Sequence, residues 1–423
     1  MSKVQKKIVF AIFFSITSLL FIPHAFSGGL YLSEVLSPVS LGTAGVQNVV
    51  NNISADAAYT NPAGMTGLER DEILSGLQFA IPSIRFDSSV ATAGGSDSGN
   101  AGFVSAIPGL AYVKVLSEKL RAGISVTAPL GGGVDYGKRF VGRYQATRSV
   151  LSGLGITPAI AYKINDSLSI GAGVTALYSR LDVDVAVRQP GSPDGEVNID
   201  KIDDWGAQGQ FGLTWQVTDK AMLGFVYRTE SSVDLDGDLS IKGIVGPPIV
   251  NVITGVLDDI ELSFDYPQAF YAGLKYEATE NIILMMDVSY EDWSEFSDFN
   301  IEITGGPIKA IRKADIEWDD TWGVGGAMIY HWDDHAVTAG LSYASSPVDD
   351  EDRNFALPMD EQVTIGASYV RFPEDSNFDY GVGLSYTWLG DGEIEQVAQG
   401  TLIKGDFSTN QIVFIGATAR YLF

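Results

Sequence analysis

Asn410-Gln411-Ile412-Val413-Phe414-Ile415-Gly416-Ala417-Thr418-Ala419-Arg420-Tyr421-Leu422-Phe423 is the stretch on which the reading of this chain turns. Val413, Ile415, Ala417, Ala419, Tyr421 and Phe423 fall on one face at period two. Asn410, Gly416, Thr418, Arg420 and Leu422 fall on the other, with Ile412 and Phe414 as apolar exceptions. The run ends on an aromatic ring. That suits a last strand that closes against the first, because no open sheet edge can face lipid. The expectation is an all-β fold, a transmembrane antiparallel β-barrel. Phe423 is then the residue through which the barrel-assembly machinery meets the chain.

The other end agrees. Lys3, Lys6 and Lys7 precede an apolar run from Ile8 to Ile22, then Pro23, with small Ala25 and Ser27 placed as at a cleavage site. This is the layout of a secretory signal over residues 1–27. The run is short for a membrane span, and small residues follow it where an anchor carries polar or basic ones. No later apolar run is long enough to cross a membrane as a helix.

Composition narrows the function. Loss of residues 1–27 removes three lysines and no acids, so the net charge of −26 becomes −29. A chain this acidic offers nucleic acid no basic face. With 47 Gly, 21 Phe, 18 Tyr and 7 Trp, it has the mixture of a barrel girdled by aromatic rings. The absence of Cys excludes a disulfide framework and thiolate metal sites.

Alternation recurs. Phe211, Leu213, Trp215 and Val217 oppose Gln210, Gly212, Thr214 and Gln216; Tyr380, Val382, Leu384, Tyr386 and Trp388 oppose Gly381, Gly383, Ser385 and Thr387. In a soluble sandwich the bulky set is core; in a barrel it faces lipid. Short polar turns at 116–119, 165–167, 218–220, 278–281, 332–334 and 372–377 alternate with longer segments near 87–100, 131–147, 188–204, 236–259, 299–312, 346–358 and 391–407. Such connections join about 14 strands over residues 69–423, with the long loops outside the cell. Residues 28–68 are small and polar without sustained alternation. Leu41–Gly45 and Ala55–Tyr59 suit short helices, and Asn61-Pro62-Ala63-Gly64 suits a turn. A 14-stranded barrel has a lumen to fill, so this segment reads as a hatch plugging the lumen, or else as a periplasmic tail.

Several motifs, in order and spacing, resemble the FadL/TodX (OMPP1) family of outer-membrane transporters. They are Asn61-Pro62-Ala63-Gly64-Met65, Tyr227-Arg228-Thr229-Glu230, Ser289-Tyr290-Glu291-Asp292-Trp293-Ser294, and Ser345-Ser346-Pro347-Val348 followed by Arg353. The resemblance covers essentially the whole chain after the signal. It implies a 14-stranded barrel with an N-terminal hatch, in the outer membrane of a Gram-negative cell. It also implies passive carriage of long-chain fatty acids or aromatic hydrocarbons. The hydrophobic ligand and the surrounding lipid and lipopolysaccharide are the partners it implies. The chain is expected to act as a monomer, without cofactor.

Candidate site residues follow. The segment Ile241–Leu257 is strongly apolar for an external loop, and such a patch packs or binds something. In the family this loop helps form the groove that first captures ligand. Ile244, Val245, Ile249, Val252, Ile253 and Val256 are the expected groove residues, or they pack against 188–204. Pro129, Gly131, Gly132 and Gly133 interrupt the third strand. The resemblance implies a kinked third strand with a lateral opening, best matched by Gly131; the alternative is that the strand ends at Pro129 and an external loop begins. A fatty-acid carboxylate needs a cation in an apolar pocket. Arg180 falls where the family's fatty-acid carriers place one, or it is a lumen residue paired with Asp182 or Asp184. The basic residue that those carriers have early in strand ten is replaced by Glu317-Trp318-Asp319-Asp320, with Arg312 and Lys313 upstream. That departure leaves room for a neutral substrate. Asn61, Pro62 and Ala63 match the hatch motif whose movement opens the path in the family, or they anchor the plug.

Other classes fit less well. A diffusion porin needs neither a hatch nor an apolar external loop. After residue 27 the only histidines are His331 and His335, both at a short turn, so no catalytic site is expected. A receptor or adhesin role is compatible with the long loops. The acidic run Asp349–Asp352 reads as solvated surface, and no metal site is expected.

Overall fold

The computed structural model describes residues 36–245, 259–303, 310–315, 317–356 and 358–423. The expected signal, residues 1–27, lies outside them. Fourteen wall strands close into an antiparallel barrel. They are β1 (Glu72–Ala91), β2 (Ser105–Val115), β3 (Leu120–Thr127), β4 (Arg148–Lys163), β5 (Leu168–Val187), β6 (Gly195–Thr218) and β7 (Ala221–Arg228). The circuit continues with β8 (Ala269–Glu277), β9 (Ile282–Glu291), β10 (Thr321–Trp332), β11 (His335–Ala344), β12 (Gln362–Arg371), β13 (Phe378–Trp388) and β14 (Thr401–Leu422). Each pairs with the next in sequence, and β14 closes on β1 from Glu72↔Leu422 to Ala91↔Ile403.

The period-two pattern explains the wall. Phe211, Trp215, Tyr380, Val382, Leu384 and Ile415 point outward and are exposed, which only lipid satisfies. Between them, Gly, Ser and Thr side chains face a filled lumen. Phe414, an exception in the terminal strand, is buried on the inner face. Tyr162, Tyr276, Tyr330, Phe378 and Tyr421 ring the short-turn end; Trp205, Tyr290 and Trp322 ring the other.

The long connections carry more strand than their composition suggests. Gly131–Asp135 continues the line of β3 along β4, so the glycines belong to the wall rather than to a loop. Ser231–Lys242, Asp259–Tyr266, Asp298–Ile303 and Ala310–Asp315 extend the sheet beyond the barrel, and Ile394–Ala398 makes a hairpin with β14. The segments 236–259, 299–312 and 391–407, expected as loops, therefore hold paired backbone. The reason is legible in Val233, Leu235, Leu239 and Ile241, which are buried, while Asp234, Asp236 and Asp238 between them face out.

Residues 36–68 fold into α1 (Pro38–Gly42), α2 (Ala57–Thr60) and two 3-10 turns, Asn48–Val50 and Pro62–Gly67. Proline opens two of these elements, where its missing N–H costs nothing. Ser37 Oγ accepts from Ser40 N–H and Asn61 Oδ1 from Ala63 N–H, which satisfies donors at both starts. The segment sits inside the barrel at the short-turn end. Arg121 donates to Leu68 O, Thr66 to Ser169, and Lys275 to Asn52. Above it, toward the long loops, lies a second filling, a large apolar cluster containing Phe86, Phe140, Phe264, Trp293, Phe296, Phe355 and Phe407.

Candidate functional site

The upper filling is a chamber built by segments that dip into the barrel mouth. Residues 136–147 bring Tyr136 and Phe140, stacked with centroids 4.2 Å apart. The stretch that begins at Trp293 adds Phe296 and Phe299, against Phe264 of the extension and Trp318. The segment 345–356 inserts Phe355 edge-on against Phe86 and Phe140, at 4.7 and 4.8 Å. This segment hangs from Arg353, fully buried, which donates to the carbonyls of Val348, Met359 and Glu393 and pairs with Asp350 and Asp360. Tyr136 Oη is buried with no hydrogen-bond partner among the described residues, a state that costs about 1–3 kcal/mol. Burial also pushes its pKa well above the ordinary phenol value, so it remains a donor.

The chamber's floor is a row of polar residues meeting the hatch. Gln210, Arg228, Ala269 and Glu291 are cross-strand neighbours on β6 to β9. The Arg228 guanidinium lies over the rings of Tyr59, on α2, and Tyr271, at 4.6 and 5.3 Å. Glu291 accepts from Tyr271 Oη and Trp293 Nε1, at 2.8 and 2.7 Å, and its charge faces Arg228. Gln210 donates to Ala58 O. Two quoted motifs, one holding Arg228 and one holding Glu291 and Trp293, thus meet at one level.

The wall is interrupted beside the chamber. β2 pairs with β3 only as far as Leu110↔Val126, and contact resumes at Gly102↔Val134 in the same register. Between them Phe103–Gly109 and Thr127–Gly133 face each other unpaired, while Ser105–Gly109 keeps its partners on β1. On the other side of β3, Thr127↔Gly155 is followed by Gly131↔Ser152, so three residues, Ala128-Pro129-Leu130, oppose two. That is a bulge, set where proline has no N–H to give. Leu130 turns inward over Gly153 and joins the chamber, so the interruption and the chamber touch.

The expected site residues fall unevenly. Pro129 sits in the bulge and Gly131, Gly132 and Gly133 at its upper edge, where the Phe103 ring leaves no room for a Cβ on Gly133. Asn61 donates to Val49 O and Leu213 O, tying the hatch to β6. Pro62 and Ala63 lie so close to Gly171 of β5 that a side chain there would overlap them. Ile244 packs on Gly195, within 188–204, and Val245 N–H donates to Gln189 while its side chain stays exposed. Ile249, Val252, Ile253 and Val256 lie outside the described residues.

Arg180 is a correction. Leu177, Ser179 and Leu181 are its buried, inward neighbours. Arg180 takes the opposite face, with Tyr178, and pairs with Asp182 at 3.2 Å. Alternation on β5 turns it away from the lumen, so a carboxylate inside the chamber does not meet it. The lumen side holds instead the buried Arg228, whose charge faces Glu291, the buried Arg121, which donates to the carbonyls of Leu68, Ser117 and Leu120, and the half-buried Arg420, matched by Asp379 and Glu72. Among the described residues no group of three or more His, Cys, Asp or Glu is placed to hold a metal ion. Phe355 and Tyr136 escaped the sequence reading, because a single ring in a polar segment gives no periodic signal.

A closed barrel with an internal hatch, an aromatic chamber and an opened wall ladder defines an outer-membrane transport barrel. Comparison with known proteins gives the family. The model of the outer membrane protein transport proteins (OMPP1/FadL/TodX) matches residues 19–423, and this chain belongs to that family. It is 21% identical over 400 residues to the long-chain fatty acid transport protein of Escherichia coli O6:H1, covering 86% of this chain and 87% of the relative. A FadL homologue from Pseudomonas aeruginosa superposes with a TM-score of 0.82 at 18% identity, over 92% of this chain and 98% of that one. The Pseudomonas putida toluene transporter TodX does so with a TM-score of 0.70 at 19% identity, over 92% and 99%.

Proposed function

We propose that this outer-membrane protein passively carries hydrophobic molecules, long-chain fatty acids among them, and releases them sideways through the opening between β2 and β3. The observation that carries this reading is the contact, at Leu130, between the aromatic chamber and the unpaired stretch of wall. A ladder left open in lipid is costly unless something uses it. Capture belongs to the apolar external segment that includes Ile244, Val245, Ile249, Val252, Ile253 and Val256. Passage then runs through the chamber, past the hatch residues Asn61, Pro62 and Ala63 as they shift. Release is at Pro129 and Gly131–Gly133. Arg180 has no part in this path. The chain acts as a monomer among lipid and lipopolysaccharide, and it is inserted by the barrel-assembly machinery through Phe423.

The names of the relatives, one a fatty-acid transporter and one a toluene transporter, support a greasy substrate without choosing its head group. On the lumen side Arg228 and Arg420 already face carboxylates and Arg121 is engaged by backbone carbonyls, so the apolar body of the substrate supplies the recognition. Purified protein should then bind a long-chain fatty acid and its methyl ester within about threefold of each other, a gap under 1 kcal/mol. Tight binding of the acid alone would overturn this choice of substrate. Pro129→Val restores a ladder donor in the unpaired stretch and leaves the shared register of β2 and β3 on either side of the opening intact. Uptake should fall by tenfold or more, roughly 1.4 kcal/mol in the barrier, while the barrel keeps its heat-modifiable mobility on gels. Unchanged uptake in that variant would remove the lateral route.

A further inference from the structure

Phe355 occupies the middle of a box that fits a single aromatic ring. Phe86, Phe140, Tyr136 and Phe407 surround it with centroids 4.7, 4.8, 5.9 and 6.2 Å away, three of them edge-on at 80–90°. All five rings are buried. The backbone at Gly142 is pressed so close to Phe355 that a side chain there would overlap its ring. Two polar atoms in this apolar setting lack partners among the described residues: Tyr136 Oη, on a wall of the box, and Asn354 Nδ2, on the residue preceding Phe355. Both can donate a hydrogen bond, and buried donors without acceptors are rare in a finished core. Phe355 fills the volume of the box and leaves its chemistry unmet.

We propose that this box is a ligand site for a ring-bearing molecule with one acceptor oxygen on or next to the ring, and that Phe355 is a tethered occupant which the ligand displaces. The incoming ring repeats the edge-to-face contacts of Phe355. Its oxygen takes the hydrogen bond that Tyr136 Oη now lacks, an advantage the phenyl group of Phe355 cannot match. Segment 345–356, swinging about its Arg353 anchor, withdraws the ring. The inference deepens the transport reading, since the box belongs to the same aromatic cluster as the chamber, but its test is read by binding and not by uptake.

The test uses the full-length protein in detergent and two probes of similar shape, acetophenone with a carbonyl and ethylbenzene without one, followed by titration calorimetry. Phe355→Ala removes the tethered competitor and should tighten both probes by about tenfold. Adding Tyr136→Phe should then weaken acetophenone about fivefold and leave ethylbenzene unchanged. Unaltered affinity in Phe355→Ala would overturn the displacement, and equal loss of both probes with Tyr136→Phe would overturn the acceptor. Should Phe355→Ala fail to give a heat-modifiable barrel, Phe355→Leu keeps the packing and serves the same arm. Binding as expected, with no uptake of a long-chain fatty acid or its methyl ester by cells that carry the protein, would sink the transport reading and leave this site standing.

Discussion

Arg228 shows how one side chain joins the two fillings of the lumen. Its charge faces Glu291 on the chamber side, while its flat face covers Tyr59 of the hatch. Removing one member of a buried pair strands the other, so Arg228→Leu should lower stability by about 3–5 kcal/mol, read as a shifted denaturant midpoint. Glu291→Gln should cost less, because the amide oxygen can keep the bond from Trp293 Nε1 while the amide N–H donates to Tyr271 Oη, and the guanidinium keeps both rings. The double variant should then be more stable than Arg228→Leu alone, having no stranded carboxylate; a simple sum of the two losses would mean that the pair is not coupled. Gly212 makes a second test of the hatch seat. A side chain there would overlap Asn61 Oδ1 and crowd Pro62. Gly212→Val should expose residues 61–67 to protease in the folded barrel, and full protection would mean that the wall yields instead.

Among the strands, the external extension is built against its own charge. Asp236 lies opposite Glu261 and near Asp203, Asp238 lies opposite Asp259, and Glu261 lies opposite Glu302. Like charges directly across a ladder destabilise it. Burial first, and then the neighbouring Asp236, Asp234 and Glu302, raise the pKa of Glu261 above the usual carboxylate value. A raised carboxylate pKa means that the folded strands hold the proton more readily than the unfolded chain. Their stability is therefore fullest below the ordinary Glu range and falls as pH rises through the elevated value. Amide protection factors in 231–242 and 259–266, with the intrinsic rise of exchange with pH divided out, should be larger near pH 5 than pH 8, and larger in high than in low salt at pH 8. Protection indifferent to both would show that packing of Val233, Leu235 and Leu262 decides the matter. The same strands mark the limit of what could be read in advance. The wall was legible because Gly-aromatic alternation is strict across whole strands. The extension was not, because its acids carry the composition of a loop. Arg180 was misplaced because a motif gives position along β5 but not the face, which the inward run of Leu177, Ser179 and Leu181 sets. The floor at Arg228 and Glu291 needed the register of four strands to bring distant motifs together.

Taken as one object, the barrel holds two plugs of opposite character. The hatch is small-residue and hydrogen-bonded, held by Arg121, Gln210 and Lys275 and seated on wall glycines such as Gly171 and Gly366. The chamber above it is packed with aromatic and aliphatic side chains. A water-soluble solute meets an apolar barrier first, and a greasy one meets a protein floor beneath it, with the opened ladder between β2 and β3 at the level of the barrier. That stacking separates this molecule from a diffusion pore of the same strand number. Fourteen strands enclose space for water once their filling is gone. The wall itself is held by ladder hydrogen bonds and lipid contact, which the hatch does not supply. Deleting residues 36–66 should therefore leave a heat-modifiable barrel whose ionic conductance in a planar bilayer rises at least tenfold over the full chain, roughly the ratio of an open channel to a leak on the barrier scale. The aromatic chamber should keep the conductance below that of an unobstructed lumen, and Phe355→Ala in the deleted chain should raise it again. A deletion that folds yet conducts no better than the full chain would mean that the chamber alone seals the lumen, and that movement of the hatch is not what opens the way.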